Sequence, residues 1–214
     1  MTEVSQIAGA YLKHVIKGDK VECSSIAKNY LDQSHSFTEL YEHILKKALY
    51  DVGVLWETNK ISVATEHMAT AITESILNEL YVNYNFRVNG NKKAVLTCVE
   101  NEQHQVGIKM VADTFESHGW ETFFLGTGIP VHELIAFIHQ TNPKVLAISL
   151  SVYFNFLNLN KMLESITSEF PNLEIIIGGQ AFNNITFEFE NSYPATRIIR
   201  NLFELHQYIE TKHE

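Results

Sequence analysis

The chain has 214 residues, 45% of them apolar and 19% charged, a balance that suits a folded globular protein and argues against disorder. Lys and Arg total 16 against 25 Asp and Glu, a net charge of -9, which disfavours a self-contained nucleic-acid binder working by displacement of counterions from phosphates. Cys23 and Cys98 stand alone, without disulfide or zinc spacing, the first residues lack a signal-peptide layout, and no apolar run reaches the roughly 18 residues of a membrane span, so a soluble cytoplasmic protein without a membrane partner is expected.

Residues 1 to 85 contain no Pro and only Gly9, Gly18 and Gly53. Their apolar spacing is helical, with Leu40, Ile44, Lys47, Ala48, Val52 and Leu55 keeping one face through a long segment. It predicts four helices, at 3–17, 20–33, 37–57 and 62–84, with Asp19, Thr38 and Ser62 near their starts. Short links between them suit an up-and-down four-helix bundle over residues 1–88.

Asn89-Gly90-Asn91 reads as a turn or linker, and from residue 89 to 214 the pattern changes. Strands are predicted at 94–99, 122–125, 145–149, 173–177 and, more weakly, 197–199. Helices at 105–118, 131–140, 156–169 and from about 201 alternate with them. Near-continuous apolar strands separated by helices indicate a doubly wound, Rossmann-like or flavodoxin-like α/β domain with a parallel sheet. Such sheets take ligands at the carboxyl ends of their strands.

Three of those ends carry unusual residues. The first strand runs out into Glu102-x-His104-x-x-Gly107. An imidazole there can offer one nitrogen to a metal while a carboxylate two residues earlier holds the other N–H; a solvated surface pair has the same sequence. The third strand ends in Ser149-x-Ser151, where hydroxyls can bond a heterocycle or Ser149 can cap the next helix. The fourth ends in Gly178-Gly179-Gln180, a surface on which a ring or phosphate can lie flat, or a tight turn.

Taken together the spacing is Glu-x-His-x-x-Gly, 41 residues, Ser-x-Ser, 26 residues, Gly-Gly. This closely resembles the cobalamin-binding domain, whose pattern is Asp-x-His-x-x-Gly, about 41 residues, Ser-x-Leu, 26 to 28 residues, Gly-Gly. The resemblance implies that His104 is the lower axial ligand of cobalt and Glu102 its orienting carboxylate. It also implies that Gly107, Ser149, Ser151, Gly178, Gly179 and Gln180 line the slot for the nucleotide tail. Glu for Asp at 102 lengthens the orienting arm, and Ser replaces Leu at 151. Tyr153, Phe154 and Phe156 follow, to wall that slot or to pack in the core.

In the helical half, Trp56 is followed by nine residues and then Glu66-His67. This is similar to the Trp-x9-Glu-His signature of adenosylcobalamin-dependent photoreceptors of the CarH type and their stand-alone antirepressor relatives. Val63, Glu66 and His67 share a helix face by i+3 and i+4 spacing. The resemblance implies that this face and Trp56 meet the upper side of the cofactor; the alternatives are a core Trp and a solvated pair. A His beside the cap Trp captures cobalt after photolysis in DNA-binding members of that type, and here that neighbour is Glu57.

The implied function is a non-catalytic cobalamin light or cofactor sensor. Its cofactor would be adenosylcobalamin, with methylcobalamin or hydroxocobalamin as alternatives. Its expected signal is a conformational or light-dependent homo-oligomeric change read by a protein regulator, in transcriptional control, without direct DNA binding. A corrinoid protein shuttling methyl groups for partner methyltransferases is the alternative, and a zinc or iron site of Glu66, His67, Glu102 and His104 a third reading. His14, His35, His43, His118, His132, His139, His206 and His213 are scattered and read as solvated or capping.

Overall fold

The computed structural model describes residues 2–83, 91–183, 193 and 195–213. The chain divides into two compact units, Met1–Asn85 and Phe86–Glu214. The 88/89 boundary and the Asn89-Gly90 turn lie outside the described residues.

The first unit is a helical bundle of α1 (Glu3–Val15), α2 (Lys20–Asp32), α3 (37–57) and α4 (Val63–Asn83). Side chains cap the helix starts: Asp19 accepts from Glu22 N at 3.2 Å and Ser62 Oγ from Thr65 N at 3.2 Å. At α3 the cap is Ser36, not Thr38, because Ser36 and Glu39 form a reciprocal capping box. Helix α3 is α-helical at Phe37–Glu39 and Lys47–Glu57 but π-helical over Leu40–Lys46. The wider π turn shifts the inward stripe, so that Leu40, Tyr41, Ile44, Leu45, Ala48 and Val52 are all buried. Lys47 does not share that face; it is exposed and pairs with Asp51 one turn on. Tyr11, Tyr30 and Tyr41 supply the aromatic bulk of the core, and the Tyr11 hydroxyl lies 3.1 Å from Thr73 Oγ1, satisfying both buried groups.

The second unit is a five-stranded parallel sheet in the order β2-β1-β3-β4-β5. Its strands are β1 (Lys93–Cys98), β2 (Glu121–Gly126), β3 (Val145–Ser149), β4 (Glu174–Gly178) and β5 (Thr196–Ile198). Helices α5 (Val106–Ser117), α6 (Val131–Thr141), α7 (Phe156–Glu169) and α8 (Leu202–His213) connect or follow them. Leu134 and Ile138 of α6 and Leu159, Met162, Leu163 and Ile166 of α7 pack with Val95, Leu146, Ile148, Ile175 and Ile177 in one core cluster. Helix α8 packs on α5. This is the doubly wound architecture, with its topological switch between β1 and β3, where the chain leaves adjacent strands in opposite directions.

Register aligns the carboxyl ends: Cys98 pairs with Ser149 and Ser149 with Gly178. The ladder runs on through Val99 N to Ser149 O (3.0 Å), Leu150 N to Gly178 O (2.9 Å) and Ile199 N to Ile177 O (2.8 Å). That closeness requires the glycine pair. A Cβ at Gly178 would sit 2.6 Å from Ile199 O, and one at Gly179 would sit 2.2 Å from Leu150 O, at a φ of +113°. Gly179→Ala should therefore destabilise the protein by about 2 kcal/mol or more. Urea denaturation followed by circular dichroism measures this, and wild-type stability would show that the backbone yields without cost.

Candidate cofactor site

Cys98, Ser149 and Gly178 form a row at the carboxyl edge, and the loops leaving β1 and β3 flank the switch point. Glu102 stands between those loops with only 1% of its side chain exposed. Its Oε1 accepts from Gln103 N (3.0 Å), His104 N (3.2 Å) and His104 Nδ1 (2.5 Å), and its Oε2 from Ser151 N (3.0 Å) and Val152 N (2.9 Å). Burial alone would push this carboxyl's pKa up, but bonds from the His104 ring and from the Val152 and Ser151 amides outweigh it and hold the pKa at about 2. Glu102 is thus an ionised acceptor, so Nδ1 of His104 carries the proton, and Nε2 is the nitrogen through which the ring could hold a metal. The His104 side chain is 56% exposed.

The loop is braced from behind. Asn155 Nδ2 donates to Asn101 O (3.4 Å) and Asn158 Nδ2 to Glu100 O (3.3 Å), tying it to the start of α7. Asn101 takes a left-handed φ of 70°, which turns the chain so that Glu102 points inward. Burial pushes the Cys98 thiol up to about 12.

Ser149 is buried in the strand row and does not cap α7, whose N-cap is Asn155. Ser151 serves through its backbone N–H. Gly178 and Gly179 are demanded by the approach of neighbouring backbone, with Gln180 opening a short 3-10 turn. Gly107, in the first turn of α5, is different: a Cβ built there meets nothing within 4 Å. Along the β3 exit, Val152, Tyr153, Phe154 and Leu157 are exposed, Phe154 to 90%, while Phe156 packs against the core. An exposed, tautomer-fixed imidazole beside an open helix start and an apolar run could hold the metal of a large cofactor.

In the helical unit, Trp56 lies in the last turn of α3 and is 45% exposed, so it is not a core aromatic. Val63 opens α4 and is 51% exposed. Glu66 bonds the exposed ring of His67 through one oxygen and accepts from Thr70 Oγ1 at 3.1 Å through the other. Glu66–His67 and Glu102–His104 are thus carboxylate–imidazole pairs of two separate units, and neither gains a third metal-type ligand within its own unit among the described residues. The grouping of three that does occur there, His118, His206 and Glu210, draws on two histidines read from the sequence as solvated. The i+4 spacing of His206 and Glu210 was the legible signal; the approach of His118 was not.

A helical bundle followed by a flavodoxin-like sheet, with a carboxylate-held histidine at the switch point, defines the two-unit corrinoid-binding class of protein. The B12 binding domain models match residues 7–81 and 92–196, one in each unit. The chain belongs to the B12-binding-domain family. It is similar to the HTH-type transcriptional repressor CarH of Myxococcus xanthus, 23% identical over 142 residues, which cover 66% of this chain and 47% of that protein. It is also similar to dimethylamine corrinoid protein 1 of Methanosarcina acetivorans, 25% identical over 184 residues and covering 82% of each. The chain spans about half the length of the CarH repressor. Among solved structures, the monomethylamine corrinoid protein of Methanosarcina barkeri superposes with a TM-score of 0.76 at 14% identity, covering 92% of this chain and 94% of that one; that likeness concerns the fold. No helix among the described residues is long and apolar enough to cross a membrane.

Glu102→Gln turns an amide NH2 toward buried N–H donors and leaves at least one of them unsatisfied. The apo-protein should lose about 2 kcal/mol or more in urea denaturation; an unchanged midpoint would mean that the carboxylate does not organise the two loops.

Proposed function

We propose that this protein binds adenosylcobalamin and acts as a light or cofactor sensor that signals to a protein partner, with no catalytic turnover of its own. The observation that carries the reading is Trp56, a large aromatic left 45% exposed at the end of α3, at the head of the Trp-x9-Glu-His pattern. A helical unit that already buries Tyr11, Tyr30 and Tyr41 has no packing need for it. In this reading His104 is the lower axial ligand, held by Glu102, and the open start of α5 at Gly107 admits the cofactor beside it. Ser149, Ser151, Gly178, Gly179 and Gln180 shape the tail slot, and Trp56, Val63, Glu66 and His67 meet the upper ligand.

Bound adenosylcobalamin supplies a weak cobalt–carbon bond that light can break. What this chain supplies is differential contact, with an apolar lid and a polar pair that hold a bulky upper group and have less to hold in its absence. A change in those contacts would alter an interface with a second copy or with a regulator in transcriptional control. The net charge of -9 favours a protein target over DNA. Two buried, unpaired cysteines accord with a cytoplasmic setting.

A second reading, a methyl-carrying corrinoid protein with methylcobalamin or its hydroxo form, is favoured by the dimethylamine corrinoid protein's match over 82% of both chains. Protein reconstituted in the dark with adenosylcobalamin should change its absorbance spectrum under green light, and a spectrum that green light leaves unchanged rules out the photosensor. His104→Ala should shift the dark spectrum to the form lacking the protein nitrogen; an unaltered spectrum removes His104 as ligand. Trp56→Ala should weaken retention of adenosylcobalamin at least about tenfold more than that of methylcobalamin, whereas equal losses would favour the methyl carrier.

A further inference from the structure

We propose that the second unit carries a second metal site, for Zn2+ or a similar borderline divalent cation, built from His118, His206 and Glu210. One ligand atom from each lies within 4.8 Å of the others. The site is independent of the cobalamin reading and at the opposite end of the sheet from His104. Helix α5 starts beside the carboxyl edge and runs 12 residues, about 18 Å, to its last turn. His118 follows it directly, and β2 begins only three residues later at Glu121, so His118 marks the amino edge of the sheet. Helix α8 comes back from the carboxyl edge after β5, packs on α5, and brings His206 and Glu210 to that end on successive turns.

The donors have the chemistry of a zinc site. His118 Nδ1 lies 2.8 Å from the Thr114 carbonyl, which can only accept, so Nδ1 carries the proton and Nε2 the lone pair. Ser117 Oγ stands 3.1 Å from the same nitrogen. A backbone carbonyl fixing the tautomer of a ligating imidazole is the usual support for zinc-bound histidine. His206 Nε2 lies 3.0 Å from Glu210 Oε1 across one helical turn. The rings of His118 and His206 meet edge to face with centroids 4.6 Å apart. A cation seated between His206 and Glu210 would take the Nε2 lone pair, any proton there leaving to solvent, and draw in His118, giving a two-imidazole, one-carboxylate set with water in the fourth position. Two nitrogen donors select zinc over magnesium or calcium. The bound ion would clamp the C-terminal helix to the end of α5.

The test uses tag-free, chelator-stripped full chain titrated with Zn2+ against a chromophoric competitor, with thermal unfolding in parallel. One equivalent should bind, and saturating Zn2+ should raise Tm by roughly 5 °C. His206→Ala and Glu210→Gln, both at exposed positions, should each weaken binding at least about tenfold and abolish the Tm shift, with unchanged circular dichroism. His104→Ala should leave Zn2+ binding intact. The proposal is overturned if the wild type binds no Zn2+, if both variants bind like the wild type, or if His104→Ala removes the binding.

Discussion

Everything at the carboxyl edge of the sheet depends on one buried carboxylate. Glu102 brings a full negative charge out of water, which on its own would cost several kcal/mol. It is tolerated because five N–H donors converge on its two oxygens. Two of those donors, Ser151 N and Val152 N, come from another strand's exit, 49 and 50 residues along the chain. The loops on either side of the topological switch are therefore fastened to the same group. The His104 ring inherits its orientation and its protonated nitrogen from a side chain that also fixes where β3 ends.

The rest of the α/β unit holds that group in place. Parallel register sets Cys98, Ser149 and Gly178 side by side, and the glycine pair lets three strand exits come within backbone contact. The chain resembles both a transcriptional repressor and a dimethylamine corrinoid protein. The proposed sensor reading draws on the helical unit, where Trp56, Val63 and His67 stand exposed while the tyrosines fill the core.

Helix and strand positions were legible because periodicity is a local signal, and the α/β alternation from residue 93 onward follows it closely. The π turn at Leu40–Lys46 was not, since the same apolar residues fit a regular helix once Lys47 is granted a place on the inner face. The capping of α3 turned on a residue two positions earlier than Thr38, for Ser36 has Glu39 in the reciprocal position. At the site, a carboxylate two residues before a histidine announced their pairing. Nothing local announced that the same carboxylate would take two amides from beyond β3, nor that His118 would meet a helix nearly 90 residues downstream. Long-range convergence belongs to topology, and a single sequence records topology only through motif spacing.

Gly107 carries a consequence for anyone redesigning this protein. Gly178 and Gly179 are forced by neighbouring carbonyl oxygens, but no atom of the protein crowds Gly107, and a helix tolerates Gly less well than Ala by up to about 1 kcal/mol. Judged by the polypeptide alone, it is the wrong residue. A stability-driven redesign would replace it early and would place a methyl group where, in the proposed function, α5 admits the cofactor. Under that proposal thermostability and cofactor capacity pull in opposite directions at this position, and a screen for the first would erode the second.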